Sequence, residues 1–373
     1  MALGKMSFRK IKNNLRWRLL DTYILKKYLG SFFFSIAMLM TIIIVFDVSD
    51  NIQRFIDYNV PFAQIVWGYY FNFIPYFINL FTPLFTFISV IWFTSQLSQR
   101  NEIVAILSGG VNYYRLMVPY ITGAILIAIL SFLMSNFVIP YSNSNLNKFK
   151  QQYFHRRTVA TTDIHIKNSS NSYIYVGRWE KMDMKGFQFT YEELDRDVTT
   201  YKISANTFQY DPETERWTLE DYIKRTIKDS HEIVTKGIEM DTVFDISPVD
   251  LNKDATVVET MTYQTLEKYI REEKEKGTGF SKYYIMEKHK RMANSLGTII
   301  MTLLGLSVAS RKTNRGIGVH LFVGMGMAFS FIFLQQVSDV FAVSGGLPAA
   351  LGAWMPDLIF LIACIILLRL TPK

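Results

Sequence analysis

From Tyr28 to Phe46 the chain carries no charged side chain. A helix of that length rises far enough to cross about 30 Å of hydrocarbon, and a bilayer admits only structures that satisfy their backbone hydrogen bonds internally. The segment is therefore expected to be a membrane-spanning helix. Lys26 and Lys27 stand before it as they would in a secretory leader, but no A-x-A-like cleavage site follows, only a polar stretch with Asp47, Asp50, Arg54 and Asp57. The run is expected to remain as an anchor.

Five more apolar runs follow. Ile65 to Phe93 is unusually long and contains Pro75 and Pro83, where kinks are expected. A third spans Leu116 to Ile139. After a polar region of roughly 150 residues, an ordinary size for one domain, three more cover Ala293 to Ala309, Ile317 to Val340 and Ala349 to Leu368. The one cysteine, Cys364, lies in the last run, which excludes a disulfide within the chain and a Cys-based metal site and leaves a packing role.

The formal net charge of +8 invites a nucleic-acid reading, but the basic excess is concentrated before the first run: Lys5, Arg9, Lys10, Lys12, Arg16, Arg18, Lys26 and Lys27 face a single acid, Asp21. Lys and Arg are retained on the cytoplasmic side of a membrane, so the N-terminus is expected inside. Arg100 and Arg115 flank the second turn, Arg311 to Arg315 the fourth, and Arg369 and Lys373 end the chain, all on the same side. The polar region between the third and fourth runs is then extracytoplasmic.

Within it, short alternating segments read as strands: Ser172 to Val176, Gly186 to Tyr191, Tyr201 to Tyr210, Arg216 to Tyr222 and His231 to Phe244, with turn signals such as Asp211-Pro212. An antiparallel sandwich, jelly roll or open barrel is favoured over a helical domain. From Thr262 to Lys276 the period changes, with Leu266, Tyr269 and Ile270 at helical spacing, so an amphipathic helix is expected to lead back to the membrane.

Residues for chemistry are missing. There is no G-x-x-x-x-G-K-[ST], so no nucleotide is cradled in the P-loop manner and any use of ATP must come from a partner. His155, His165, His231, His289 and His320 are scattered and read as surface or interface residues rather than zinc ligands. Ser108-Gly109-Gly110 lacks the strand and helix flanks of a nucleophile elbow. Asp339 and Asp357, near the outer ends of the last two spans, read as interfacial rather than as an ion relay. No catalytic residue, cofactor or metal site is expected, nor is a nucleic-acid partner.

The turn from Ser98 to Gly110 stands out. Ile103, Ile106 and Leu107 share one helical face, Arg100 and Glu102 can point to another, and Gly109 or Gly110 can cap the end in the left-handed region. A short helix at the cytoplasmic surface follows. It suits docking into a groove on a soluble partner, with the apolar residues as anchors and Glu102 as orienting charge, or it is a plain interfacial helix.

The segment Leu97 to Gly110, with its R-x-E-[IL]-V-x-x-x-x-[SG]-G pattern, resembles the coupling helix of the LptF/LptG permease family, the part that engages the LptB ATPase dimer. The similarity extends along almost the whole chain. Leu20-Asp21-Thr22-Tyr23-Ile24 resembles the family's entry to the first span, and Pro248-Val249-Asp250-Leu251 a Pro-x-Asp-Leu stretch after its β domain. From Arg315-Gly316-Ile317-Gly318 through Gly346-Leu347-Pro348 to Trp354-Met355-Pro356 the later spans are closer to the LptG branch.

The resemblance implies a membrane α-helical unit of six transmembrane helices plus an extracytoplasmic antiparallel β domain, jelly-roll-like, with boundaries at 1–139, 140–290 and 291–373. It implies an LptF-like second permease subunit, an LptB-like ATPase dimer, LptC/LptA-like periplasmic bridge proteins, and lipopolysaccharide held in a cavity between the two permease subunits. The ATPase-coupling residues would be Arg100, Glu102, Ile103, Ile106, Leu107, Ser108 and Gly109. The first and fifth spans would line the cavity with Phe32, Phe33, Phe34, Phe322, Met325, Met327 and Phe331, residues that equally suit lipid-facing or helix-packing positions. Lys148, Lys150, Arg156 and Arg157 would meet lipid headgroup phosphates, or form a solvated basic face.

Two positions depart from the family: Phe46-Asp47, where a basic residue is common at the outer end of the first span, and Asn294, near a frequent proline. The rival readings are a mechanotransmission-type exporter subunit, which usually has four spans, and a non-transporting membrane scaffold or sensor.

Overall fold

The computed structural model describes residues 19–154, 161–167, 171–180, 183–195, 198–212, 214–228, 231–244, 246, 248–251, 258–276, 281–310, 317–344 and 346–370. In chain order they form α1 (Leu19–Asp57), α2 (Phe62–Gln99), α3 (Glu102–Ser108) and α4 (Tyr113–Tyr153). Six strands follow, β1 (Thr161–Lys167), β2 (Ser172–Glu180), β3 (Lys185–Asp195), β4 (Val198–Asp211), β5 (Arg216–Lys228) and β6 (His231–Thr242). The chain returns through α5 (Pro248–Leu251), α6 (Tyr263–Lys276), α7 (Ser281–Ala309), α8 (Ile317–Val343) and α9 (Ala349–Leu370). Two compact units result, one of Met1–Leu146 with Met286–Lys373, the other Asn147–Ile285.

Six helices, α1, α2, α4, α7, α8 and α9, are long and apolar enough to cross a membrane. They outrun the apolar segments: α1 continues past Phe46 to Asp57 and α4 past Ile139 to Tyr153. Hydropathy marks where hydrocarbon ends, whereas the backbone helix persists until a breaker or cap stops it.

Packing follows a four-residue rhythm on α1, which buries Ile24, Tyr28, Phe32, Ile36 and Met40. Tyr28, Phe93 and Tyr120 stack between α1, α2 and α4, with ring centres 5.9 Å (Tyr28–Phe93), 6.3 Å (Tyr28–Tyr120) and 5.3 Å (Phe93–Tyr120) apart. Gly123 permits this approach, since a Cβ there would lie 2.4 Å from the Tyr28 ring. The Tyr28 hydroxyl meets Thr302 of α7 at 2.8 Å. A second cluster joins α2, α7, α8 and α9 through Phe87, Met301, Phe331, Phe360 and Cys364.

The prolines leave α2 helical across Phe71–Gln99. A proline gives no N–H to the carbonyl four residues earlier, and in lipid that carbonyl needs another donor. Asn294 of α7 supplies one to the Asn79 carbonyl, opposite Pro83, at 3.0 Å. Ser338 of α8 does the same for the Gly352 carbonyl freed by Pro356, at 2.6 Å. Asn294 therefore repairs a neighbouring helix. The π-helical turns Ile65–Tyr70 and Met134–Val138 are tied similarly: Asn72 donates to the Gly68 carbonyl at 2.9 Å and Asn136 to that of Phe132 at 2.8 Å.

In the other unit each strand pairs antiparallel with its sequence neighbours, giving one open sheet in the order β1-β2-β3-β4-β5-β6. Crossed jelly-roll connections do not occur among the described strands, because short hairpin links keep consecutive strands adjacent. One face is apolar, with Ile164, Val176, Trp179, Phe189, Phe208 and Trp217 buried together. Ile246 and Leu251 cover part of that face, and the Trp217 indole donates to the Ile246 carbonyl at 3.2 Å. β1 was not evident from sequence, since Thr161–Lys167 offers only Ile164 and Ile166 as inward residues. The amphipathic helix expected at Thr262 to Lys276 is α6, with Leu266 and Ile270 buried.

Candidate functional site

The turn between α2 and α4 folds from its own residues. Asn101 adopts a left-handed φ of 60° and reverses the chain after α2, and α3 begins at Glu102. At its other end Gly110 takes φ +84°. Val111 N–H donates to the Ile106 carbonyl at 3.3 Å and Gly110 N–H to that of Leu107 at 3.0 Å, the paired bonds of a Schellman cap. Of the two candidate glycines, Gly110 supplies the left-handed residue.

The three expected anchors are turned inward. Ile103 is buried with Leu97, Tyr113 and Leu116, and Ile106 and Leu107 pack against the same cluster. Val104 (50% exposed), Ala105, Ser108 and Gly109 face outward, with Arg100 exposed beside them. Periodicity identifies the apolar face of a helix and not what covers it; here the protein's own bundle does.

Two polar contacts bind α1 to this turn. Tyr23 donates through its hydroxyl to Glu102 Oε2 at 3.3 Å, and the Lys27 ammonium lies 5.9 Å from the centre of the Tyr23 ring. Asp21 and Arg115 form a two-pronged ion pair, Nη1 to Oδ1 at 2.8 Å and Nη2 to Oδ2, with both side chains nearly buried. Sequence reasoning missed this pair, reading Arg115 as a loop charge. The signal was Asp21, the one acid among the basic residues of the N-terminal segment.

The helices proposed to line a cavity divide. Phe33, Phe34, Phe322 and Met325 are exposed, whereas Phe32 and Phe331 are buried in the bundle, Phe331 edge-on to Phe360 at 5.1 Å, and Met327 packs at the margin of that cluster. Those three take part in packing between helices. Among the six apolar helices α1 and α8 are the least buried and α7 the most, and both α1 and α8 pack against α2.

Asp47 accepts hydrogen bonds from Tyr69 and Tyr70, each at 3.1 Å, and from Asn51. Asp339 pairs with Lys290 across α7 and α8. Asp357 is buried, with Oδ1 2.5 Å from where a Cβ on Gly297 would sit. His320 is buried and shares a 2.9 Å hydrogen bond with Ser95.

Lys148 is exposed and Lys150 half-buried on the last turns of α4, while Arg156 and Arg157 lie outside the described residues.

Six helices of membrane-crossing length, with a short capped helix between the second and third and an antiparallel sheet between the third and fourth, define a polytopic membrane protein with an inserted β domain. Residues 22–370 match the family described as lipopolysaccharide export system permease LptF/LptG, and the chain belongs to that family of transporter subunits. It is 20% identical to the lipopolysaccharide export system permease protein LptG of Escherichia coli K12 over 357 residues, covering 93% of this chain and 98% of the relative. It is 22% identical to LptG of Haemophilus influenzae over 355 residues, covering 92% and 96%.

Proposed function

We propose that this chain is the LptG-like subunit of an ABC transporter in the bacterial inner membrane. It extracts lipopolysaccharide from that membrane and passes it along the β domain towards the outer membrane. A second, LptF-like permease subunit completes the lipid cavity. An LptB-like ATPase dimer docks on α3 from the cytoplasm, and LptC/LptA-like proteins continue the periplasmic path. Both termini are cytoplasmic and the β domain is periplasmic, in keeping with the basic N-terminal segment.

The observation that carries this reading is α3: a short, capped helix at the junction of two membrane helices, offering Arg100, Val104, Ala105 and Ser108 to a soluble partner. Helix-in-groove docking needs such a face, and its inward residues transmit a push directly to the bundle. The exposed apolar surfaces of α1 and α8, with Phe33, Phe34, Phe322 and Met325, suit acyl chains or the second subunit. Lys148 and Lys150 suit headgroup phosphates, with Arg156 and Arg157 assigned the same role from sequence.

Isolation of the protein from its own cells in mild detergent, with identification of bound proteins and lipid, tests the proposal. Recovery of a nucleotide-hydrolysing subunit, a second permease chain and lipopolysaccharide is expected. Recovery of the chain without an ATPase would overturn it and favour a scaffold or sensor.

A further inference from the structure

The contacts that bind α1 to the loop between α2 and α4 have a mechanical consequence. α3 is covalently joined to α2 and α4, so a push on it reaches those helices through the backbone. α1 joins α2 only at its far end, through residues 58–61, so at this end it follows through side chains. Three sets of contacts hold it there: the buried Asp21–Arg115 pair, the Tyr23–Glu102 hydrogen bond, and the packing of Ile24 and Tyr28 against Ile103, Leu116 and Tyr120. The fifth membrane helix, α8, is tied instead to the stem of α2, through Ser95 and His320. The inner end of α1, α3 and the start of α4 thus form one block, to which α8 is linked through α2.

We propose that Tyr23 is a positioning residue that fixes the Glu102 carboxylate against α1, so that displacement of α3 by the ATPase carries α1 with it and moves one wall of the lipid path relative to α8. The assignment rests on the proposed function and extends it. The ion pair at Asp21 holds the block together. Tyr23 sets the direction of Glu102, which is only partly buried and without this hydroxyl would be free to turn toward water.

The test uses the whole complex, with its ATPase and second permease subunit, in lipid nanodiscs containing lipopolysaccharide. Spin labels at the exposed positions Met38 on α1 and Phe329 on α8 report the separation of the two helices with and without a non-hydrolysable ATP analogue. The parent complex is expected to show a nucleotide-dependent change in that distance. Tyr23→Phe keeps the ring and removes the hydrogen bond. It is expected to retain the ATPase, to lose most of the distance change, and to consume severalfold more ATP per lipid exported. Because Tyr23 acts through Glu102, Tyr23→Phe combined with Glu102→Gln should be no worse than Glu102→Gln alone.

A Tyr23→Phe complex with the parent distance change and the parent ATP consumption per lipid overturns the positioning role, as does a double variant whose losses add. Absence of the ATPase from the parent preparation instead overturns the proposed function on which the assignment stands.

Discussion

Arg115, at the start of the third membrane helix, grips Asp21, at the start of the first, through both guanidinium Nη atoms, and water reaches almost none of either side chain. A buried ion pair adds little net stability over an apolar pair, but removing one partner strands the other charge, at a cost of roughly 3–5 kcal/mol. Asp21→Ala is therefore expected to lower the melting temperature of the detergent-solubilised protein sharply, and Asp21→Leu with Arg115→Met to recover most of the loss. Equal melting temperatures for Asp21→Ala and the parent would contradict the pairing.

The side-chain repairs of proline-freed carbonyls predict a rescue. Ser338→Ala leaves the buried Gly352 carbonyl without its donor, at a cost of about 1–3 kcal/mol. Adding Pro356→Ala returns a backbone N–H to that carbonyl and should restore thermal stability. Asn294→Leu with Pro83→Ala should behave the same way through the Asn79 carbonyl. Rescue that does not occur in either pair would show that the hydrogen bonds are incidental.

The two faces of α3 predict opposite failures. Ile103→Glu places a charge in the bundle core and should yield aggregated or poorly expressed protein. Val104→Glu lies on the outward face and should leave a folded, monodisperse protein that no longer retains the ATPase. Size-exclusion profiles and ATPase recovery separate the two outcomes.

In the β domain, Glu220 accepts a hydrogen bond from Thr207 and pairs with Lys185, and these hold its carboxyl below the ordinary glutamate range, the Thr207 bond contributing most. A depressed value means that the contact stabilises the fold above the unfolded pKa and loses that contribution as pH falls through the folded one. Glu220 is half exposed, so the effect on stability is small. The midpoint of its titration, read by NMR on glutamate-labelled protein, should lie below that of a free side chain and rise in Thr207→Val.

Much of the architecture was legible in sequence because a bilayer imposes a strong pattern: apolar runs gave six candidate spans, and alternation gave five of the six described strands. β1 escaped because Thr161–Lys167 buries only Ile164 and Ile166. The site was legible as a helix and a cap, yet its facing was not. Ile103, Ile106 and Leu107 form an apolar stripe whether a partner or the bundle covers it, and only the fold decides. Phe32 and Phe34 show the same limit, two residues apart in one apolar run, one buried and one exposed, because inside a membrane packing rather than polarity separates the faces of a helix. Pairs such as Tyr23 and Glu102 are far apart in sequence, and nothing local announces them.

Photo-crosslinking from position 104 in living cells tests the central claim most directly. A crosslinkable residue in place of Val104 should form an adduct with a nucleotide-hydrolysing subunit, and a thiol at the same position should be shielded from membrane-impermeant reagents added outside. Labelling of that position from the periplasmic side, with no ATPase adduct, would contradict the account.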